Sequence, residues 1–238
     1  MAVSIDTVYQ RVLAIANKEQ RGYVTPQEFN LFANQAQMDI FEQYFYDLNV
    51  FLRAPGNDTT HGDPIDILKE KIDQFERYRQ AVAVSSGGVG VLPDHYRMGE
   101  LYFYNANCTG GPRFIEIEKI NQNEIHHIQN SPLTAPSNTL PAYVHTTGYR
   151  NIQLYPTTIT AAVCNYIARP AQAVWGYTVV DNQALYNSSS TTNFELHQAE
   201  EPNLVFKILE LAGISMKNPN LYQLAATEEA KDLQEEKQ

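Results

Sequence analysis

The hydrophobic period of this chain changes twice, and no other feature constrains its fold as much. Apolar residues recur at steps of three and four up to about residue 80, alternate at steps of two from Ala81, and return to the helical step from Pro202. The clearest single element is a long helix predicted from Thr25 to about Leu52. Thr25, Pro26, Gln27 and Glu28 read as a capping box with proline at the first helical position. Val24 and Phe29 stand where a hydrophobic staple packs. Phe29, Phe32, Ala33, Ala36, Ile40, Phe41, Tyr44, Phe45, Leu48 and Leu52 form its apolar stripe. A helix of roughly 28 residues spans about 40 Å, which suits an elongated assembly subunit better than a compact enzyme.

A shorter helix is predicted before it, from about Ile5 to Gln20, with Ile5, Val8, Val12, Ile15 and Ala16 on its apolar face and Gly22 as a cap. A third, from about Pro64 to Gln80, carries Ile65, Leu68, Ile72 and Phe75. The strand-like alternation then runs through Val82 and Val84, Leu101 and Phe103, Ile115 and Ile117, and Ile152 and Leu154. It continues through Ile159, Ala161 and Val163, then Val174, Gly176 and Thr178, and closes with Phe194 and Leu196. NQNEIHHIQN, residues 121–130, is predicted as a short inserted helix, and SPLTAPSNTLP, residues 131–141, as a proline-punctuated arm. The expected class is α+β: N- and C-terminal helices in a bundle around a central antiparallel β-sandwich or barrel. The expected divisions are 1–80 helical, 81–198 β-rich, and 199–238 helices that pack with the N-terminal ones.

Composition narrows the function. Charged residues are 18% of the 238, the net charge is −10, and Tyr is abundant at 15. An acidic chain repels phosphate, so wrapping or reading a duplex is not expected, whereas DNA sliding past without adhering is compatible. There is no apolar run near the length of a membrane span, and the N-terminus reads as helix rather than signal peptide. Cys108 and Cys164 lack zinc-like spacing and read as reduced packing residues. The sequons at Asn57, Asn107 and Asn187 then carry little weight.

No catalytic, cofactor or metal site is expected. His126 and His127 are adjacent, and helical metal ligands need separations of three or four. SSGGVG at 85–90 lacks the Lys-Ser or Lys-Thr of a phosphate loop and reads as a turn. Asp94, His95 and Arg97 have no accompanying nucleophile motif. Glu200 and Glu201 sit at a helix start, where the dipole favours carboxylates. In the last region Leu204, Val205, Ile208, Leu209 and Ala212 form a stripe, Gly213 ends it, and Leu221, Leu224 and Ala225 face inward on a further helix. The final EEAKDLQEEKQ has almost no apolar side. Leu204, Ile208, Leu209, Leu221 and Leu224 are therefore the candidate assembly interface.

Three blocks carry a family likeness. IANKEQRGYVTPQEFNLFANQAQMDIFEQYF resembles the N-terminal helical pair of structural proteins from tailed bacteriophages. LPAYVHTTGYRNIQLYP followed by NYIARPAQAVW resembles their β-region, and ELHQAEEPNLVFKILELAGISMKNPNLYQLAATEEAKDLQEEKQ their C-terminal helical pair. The nearest group is the head-to-tail connector or ring proteins of short-tailed phages, including crAss-like phages, with the adaptor, tail tubular protein A type, similar in layout. The likeness implies a virion protein assembled in the host cytoplasm and no enzymatic activity. It implies a homo-oligomeric ring of twelve copies, with the portal protein and other connector or tail proteins as partners. It also implies a conduit for double-stranded DNA during genome ejection, without sequence-specific binding and without a membrane. Another virion component (minor capsid, collar or tail protein) is the nearest alternative. A carbohydrate-binding module using surface Tyr and Trp175 is a more distant one.

Overall fold

Thr25 shows how local chemistry sets the frame. In the computed structural model, which describes residues 3–18, 24–53, 62–106, 111–181, 183–215 and 227, the Thr25 N–H and hydroxyl donate to Glu28 Oε2 at 3.0 and 2.7 Å. Glu28 N–H donates back to Thr25 Oγ1 at 3.3 Å. The predicted capping box is formed, and Val24 and Phe29 are both buried beside it.

Among the described residues the α-helices are α1 (Ile5–Lys18), α2 (Pro26–Arg53), α3 (Gly62–Asp73), α4 (Ile125–Asn130) and α5 (Glu201–Ser215). The strands are β1 (Glu76–Val84), β2 (Val89–Val91), β3 (Arg97–Asn105), β4 (Arg113–Glu116) and β5 (Glu118–Lys119). They continue as β6 (Ala142–His145), β7 (Asn151–Tyr155), β8 (Ala162–Ile167), β9 (Tyr177–Val180) and β10 (Gln183–Tyr186). The chain is mixed α+β and separates into two compact units, residues 1–74 with 170–238, and residues 75–169.

In the first unit α5 packs against α1 and α2, and α3 against α2. Phe29, Phe41, Ile5, Phe194, Leu196 and Leu204 are among its fully buried side chains. The predicted stripe of α2 is inside through Phe45 except for half-buried Phe32, Leu48 is half-buried, and Leu52 is exposed. The third helix stops earlier than its apolar pattern suggested. Leu68, Ile72 and Phe75 are buried as expected, yet α3 ends at Asp73 and a strand begins at Glu76. Residues 76–80 have no helix breaker; pairing with β8 overrides their helical propensity.

The second unit is an eight-stranded sheet in the order β4-β3-β8-β1-β2-β7-β6-β5. Every pairing is antiparallel except β5 with β6. The sheet is nearly closed, because its two end strands are separated in sequence by Ile117 alone. Ile117 N–H donates to Leu101 O at 2.8 Å on one side, and Glu118 N–H to Pro141 O at 3.0 Å on the other. Val82, Leu92, Leu101, Ile117, Ile152, Leu154, Ile159, Ala162 and Cys164 fill the interior. Ala162 and Cys164 point inward, so the predicted alternation through Ala161 and Val163 is off by one residue. In a strand such a slip exchanges the two faces completely.

β8 is flanked by irregularities on both sides. The register with β1 shifts between Arg77 and Gln80, and the register with β3 shifts between Met98 and Leu101. Both shifts fall opposite Asn165, whose Oδ1 accepts from Arg79 N–H at 2.9 Å. Arg79 holds φ 51°, a left-handed conformation uncommon outside glycine. On the other side a Cβ on Gly99 would stand 2.9 Å from Asn165 O, so only glycine fits the close approach.

Candidate assembly surface

The stripe of α5 is not on the surface. Leu204 and Ile208 are 0% exposed and Leu209 is 2% exposed, within the chain's own core. The reason is simple: α5 has α1 and α2 to lie against, so its apolar face is satisfied before any neighbour arrives. Leu221 and Leu224 lie outside the described residues.

Polar side chains of α2 do something its apolar pattern hides. Asn30, Asn34 and Gln37 lie at i, i+4 and i+7 and so share one face. Asn30 accepts from Trp175 N–H at 2.8 Å and donates to Trp175 O at 3.3 Å. Asn34 does the same with Ala173, at 2.9 Å each way. Gln37 donates to Ala171 O at 2.7 Å and accepts from Glu195 N–H at 3.2 Å. The match is geometric. One helical step of four residues advances about 6 Å, and two residues of extended chain advance about 6.6 Å. Three amides thus act as a substitute strand for the segment 171–175. The only sequence signal was three amides at helical spacing, which reads equally as a solvated face.

The ladder delivers an aromatic cluster. Trp175 is 2% exposed and its Nε1–H donates to Asp6 Oδ1 at 2.9 Å. The rings of Tyr9, Tyr177 and Tyr186 stand 4.4, 5.9 and 5.9 Å from it. A tryptophan so enclosed has no face left for a sugar, which removes it from the carbohydrate-binding alternative. Gly176 follows because a Cβ there would overlap the Ser190 backbone, at 2.7 Å.

From this anchor the hairpin β9–β10 extends, turning through Asp181 at φ 49°. Val179, Val180, Leu185 and Tyr186 are exposed along it, Val179 by 61%. A two-stranded ribbon is marginal alone in water, and here both of its strands carry exposed apolar residues. In the other unit Asn105 Nδ2 donates to Asn138 O of the arm 131–141 at 3.1 Å. It presents Leu133 at 91% exposure and Leu140 at 73%.

The remaining sequence candidates have structural partners. Of the segment 85–90, Ser85–Gly88 is the β1–β2 turn, closed by Ser85 N–H donating to Val89 O at 2.7 Å, and Val89 and Gly90 belong to β2. Asp94 accepts from the Tyr149 hydroxyl at 2.8 Å, which raises the tyrosine's pKa. His95 Nδ1 lies 2.9 Å from Pro93 O, and Arg97 begins β3. His126 and His127 are exposed on α4, and no cluster of potential metal ligands occurs among the described residues. Glu200, 3% exposed, pairs with Lys71 at 2.7 Å and accepts from Asn203 Nδ2 at 2.9 Å, while Glu201 pairs with Arg11 at 3.1 Å. Lys71 also lies 5.5 Å from the centre of the Tyr44 ring. Burial pushes the Cys164 thiol up to about 11; Cys108 lies outside the described residues. Among the described residues no helix is long and apolar enough to cross a membrane.

No family model matches the chain, and no curated protein matches it.

Proposed function

We propose that this protein is a structural virion subunit that forms an oligomeric ring in a phage head-to-tail connector, below the portal. The observation that carries this reading is the apolar surface left bare on elements that are themselves firmly held. Leu133 at 91% and Leu140 at 73% exposure stand on an arm that Asn105 bonds at Asn138. Val179 and Leu185 stand on a ribbon whose root is locked by three amides and an enclosed tryptophan. Rigid elements carrying unburied leucine and valine suit packing against another molecule. The family likeness of the three sequence blocks points the same way.

In this reading the helices of the two chain ends form one bundle and the closed sheet a barrel, each a stiff piece of a ring wall. Ring closure needs heterologous contacts whose rotation closes. Twelve acidic copies would carry a formal charge of about −120, which opposes adhesion of DNA in a channel. The work is mechanical: the ring joins head to tail and gives the genome a passage. The test is native mass spectrometry and electron microscopy of the purified protein. Closed rings are the expected result, as is a copy number matching the portal's in purified particles. A chain that stays monomeric at every concentration refutes the proposal.

A further inference from the structure

Charge is divided unequally along this chain. It has 17 Lys and Arg and 27 Asp and Glu in all. Residues 75–169 hold seven of the basic and six of the acidic ones, a net of +1, which leaves a net of −11 for residues 1–74 and 170–238. Four of those seven basic residues lie on β1, β3 and β4: Arg77, Arg79, Arg97 and Arg113.

Arg79 stands among exposed aromatic rings. The Arg79 guanidinium lies 4.3 Å from the centre of the Phe114 ring and 5.0 Å from that of Tyr78. Phe114 meets Tyr104 across the β3–β4 ladder at 5.2 Å. Tyr78, Tyr104 and Phe114 are all exposed. Beside them, over the paired irregularities at Asn165, an open cleft of about 290 Å³ is lined by Arg77 and Arg97 together with Glu76, Tyr78 and Tyr166. The same strands carry Glu76, Glu100 and Glu116, of which Glu100 accepts from the Tyr102 hydroxyl and pushes its pKa up to about 12. Arginine and large aromatics in a cluster are the composition of interface hot spots.

We infer that this arginine–aromatic face of residues 75–169 docks against the acidic helical unit, residues 1–74 and 170–238, of a second copy of the chain. The inference rests on the ring proposed above and names its contact. Charge complementarity selects the partner. Two acidic units laid against each other would oppose a net −11 with a net −11. Residues 75–169, with a net of +1, meet an acidic unit without that net repulsion, and exposed Arg79 and Arg97 supply the positive groups. Such a contact joins two different faces, which makes it head-to-tail and capable of closing a ring.

The test compares the full chain with Arg97→Glu, which reverses charge at an exposed residue lining the cleft, and with Arg79→Asn. Asparagine tolerates the left-handed backbone at that site, so the second variant removes the guanidinium without adding strain. Circular dichroism melts establish that each variant is folded, and native mass spectrometry and sedimentation read assembly. Wild-type assembly is expected to weaken as salt rises from about 0.1 M to about 1 M, over which the screening length falls from about 10 Å to about 3 Å. Each folded variant is expected to need at least about tenfold more protein to assemble. Wild-type rings with variants that assemble identically overturn this inference and leave the ring proposal standing. A monomeric wild type overturns both. Variants that assemble normally but lose a DNA duplex retained by the wild type overturn the inference in favour of a nucleic-acid face.

Discussion

Replacing Asn34 by leucine tests whether α2 holds its neighbouring segment by hydrogen bonds rather than by apolar contact. The side chains are close in volume, so the change removes polarity and little else. Two bonds at 2.9 Å to the backbone of Ala173 are lost, together with the Asn34 Nδ2 bond to Asn30 O at 2.7 Å within the helix, and Ala173 is 0% exposed. Each bond contributes about 1 kcal/mol net, and leaving its buried N–H or C=O unpaired raises the cost of each to at most about 2 kcal/mol. The expected destabilisation is therefore about 2–4 kcal/mol. Trp175, the only tryptophan of the chain, is held by the next rung of the same ladder, so its fluorescence reports this unit. Urea unfolding followed at Trp175 should show the midpoint falling by about 1–2 M for an m-value near 2 kcal/mol/M. Gln35→Leu is the control. Gln35 is exposed on the same helix and bonds only Asp39 among the described contacts, at 2.8 Å, so its midpoint should move by less than about 0.5 kcal/mol equivalent. Equal shifts in the two variants would refute the ladder.

Three further outcomes follow from other groups. Lys71→Met leaves the Glu200 carboxylate, 3% exposed, without its cation and should destabilise by about 3 kcal/mol. Adding Glu200→Leu should recover most of that in chemical denaturation, and an additive second loss would disprove the pairing. Burial, with Lys119 and His95 adding to it, lowers the pKa of His145 below its ordinary 6.5. Its stabilising share is present above about pH 6.5 and is lost as pH falls toward the folded-state value. Stability measured from about pH 7 to about pH 5 should therefore decline less steeply in His145→Gln, and parallel curves would contradict the assignment. With the Cys164 thiol raised to about 11, a Cys108→Ser protein should resist alkylation at about pH 8 until unfolded. Fast labelling of the native protein would show that Cys164 is not enclosed.

Much of the helical half was legible because its signals are local. The capping box needs only Thr25 and Glu28 three residues apart, and its three bonds form as the spacing predicts. The candidate interface on α5 fared differently. A stripe of Leu204, Ile208 and Leu209 announces that something covers it, but not what; α1 and α2 of the same chain do so. The exposed apolar groups that replace it as candidates, Leu133, Leu140, Val179 and Leu185, sit on an arm and a hairpin where no periodicity marks them.

The sequence by itself determined where backbone period changes, how α2 begins, and that helices frame a strand-rich middle, because propensity, capping and alternation act over a few neighbouring residues. Tertiary structure alone decided which face of β8 turns inward, where Asn165 forces two neighbouring strands out of register, and that Asn30, Asn34 and Gln37 serve as a strand. Those outcomes depend on partners more than fifty residues away in sequence, and a hydrogen bond carries no mark of its distant acceptor in the residues beside its donor.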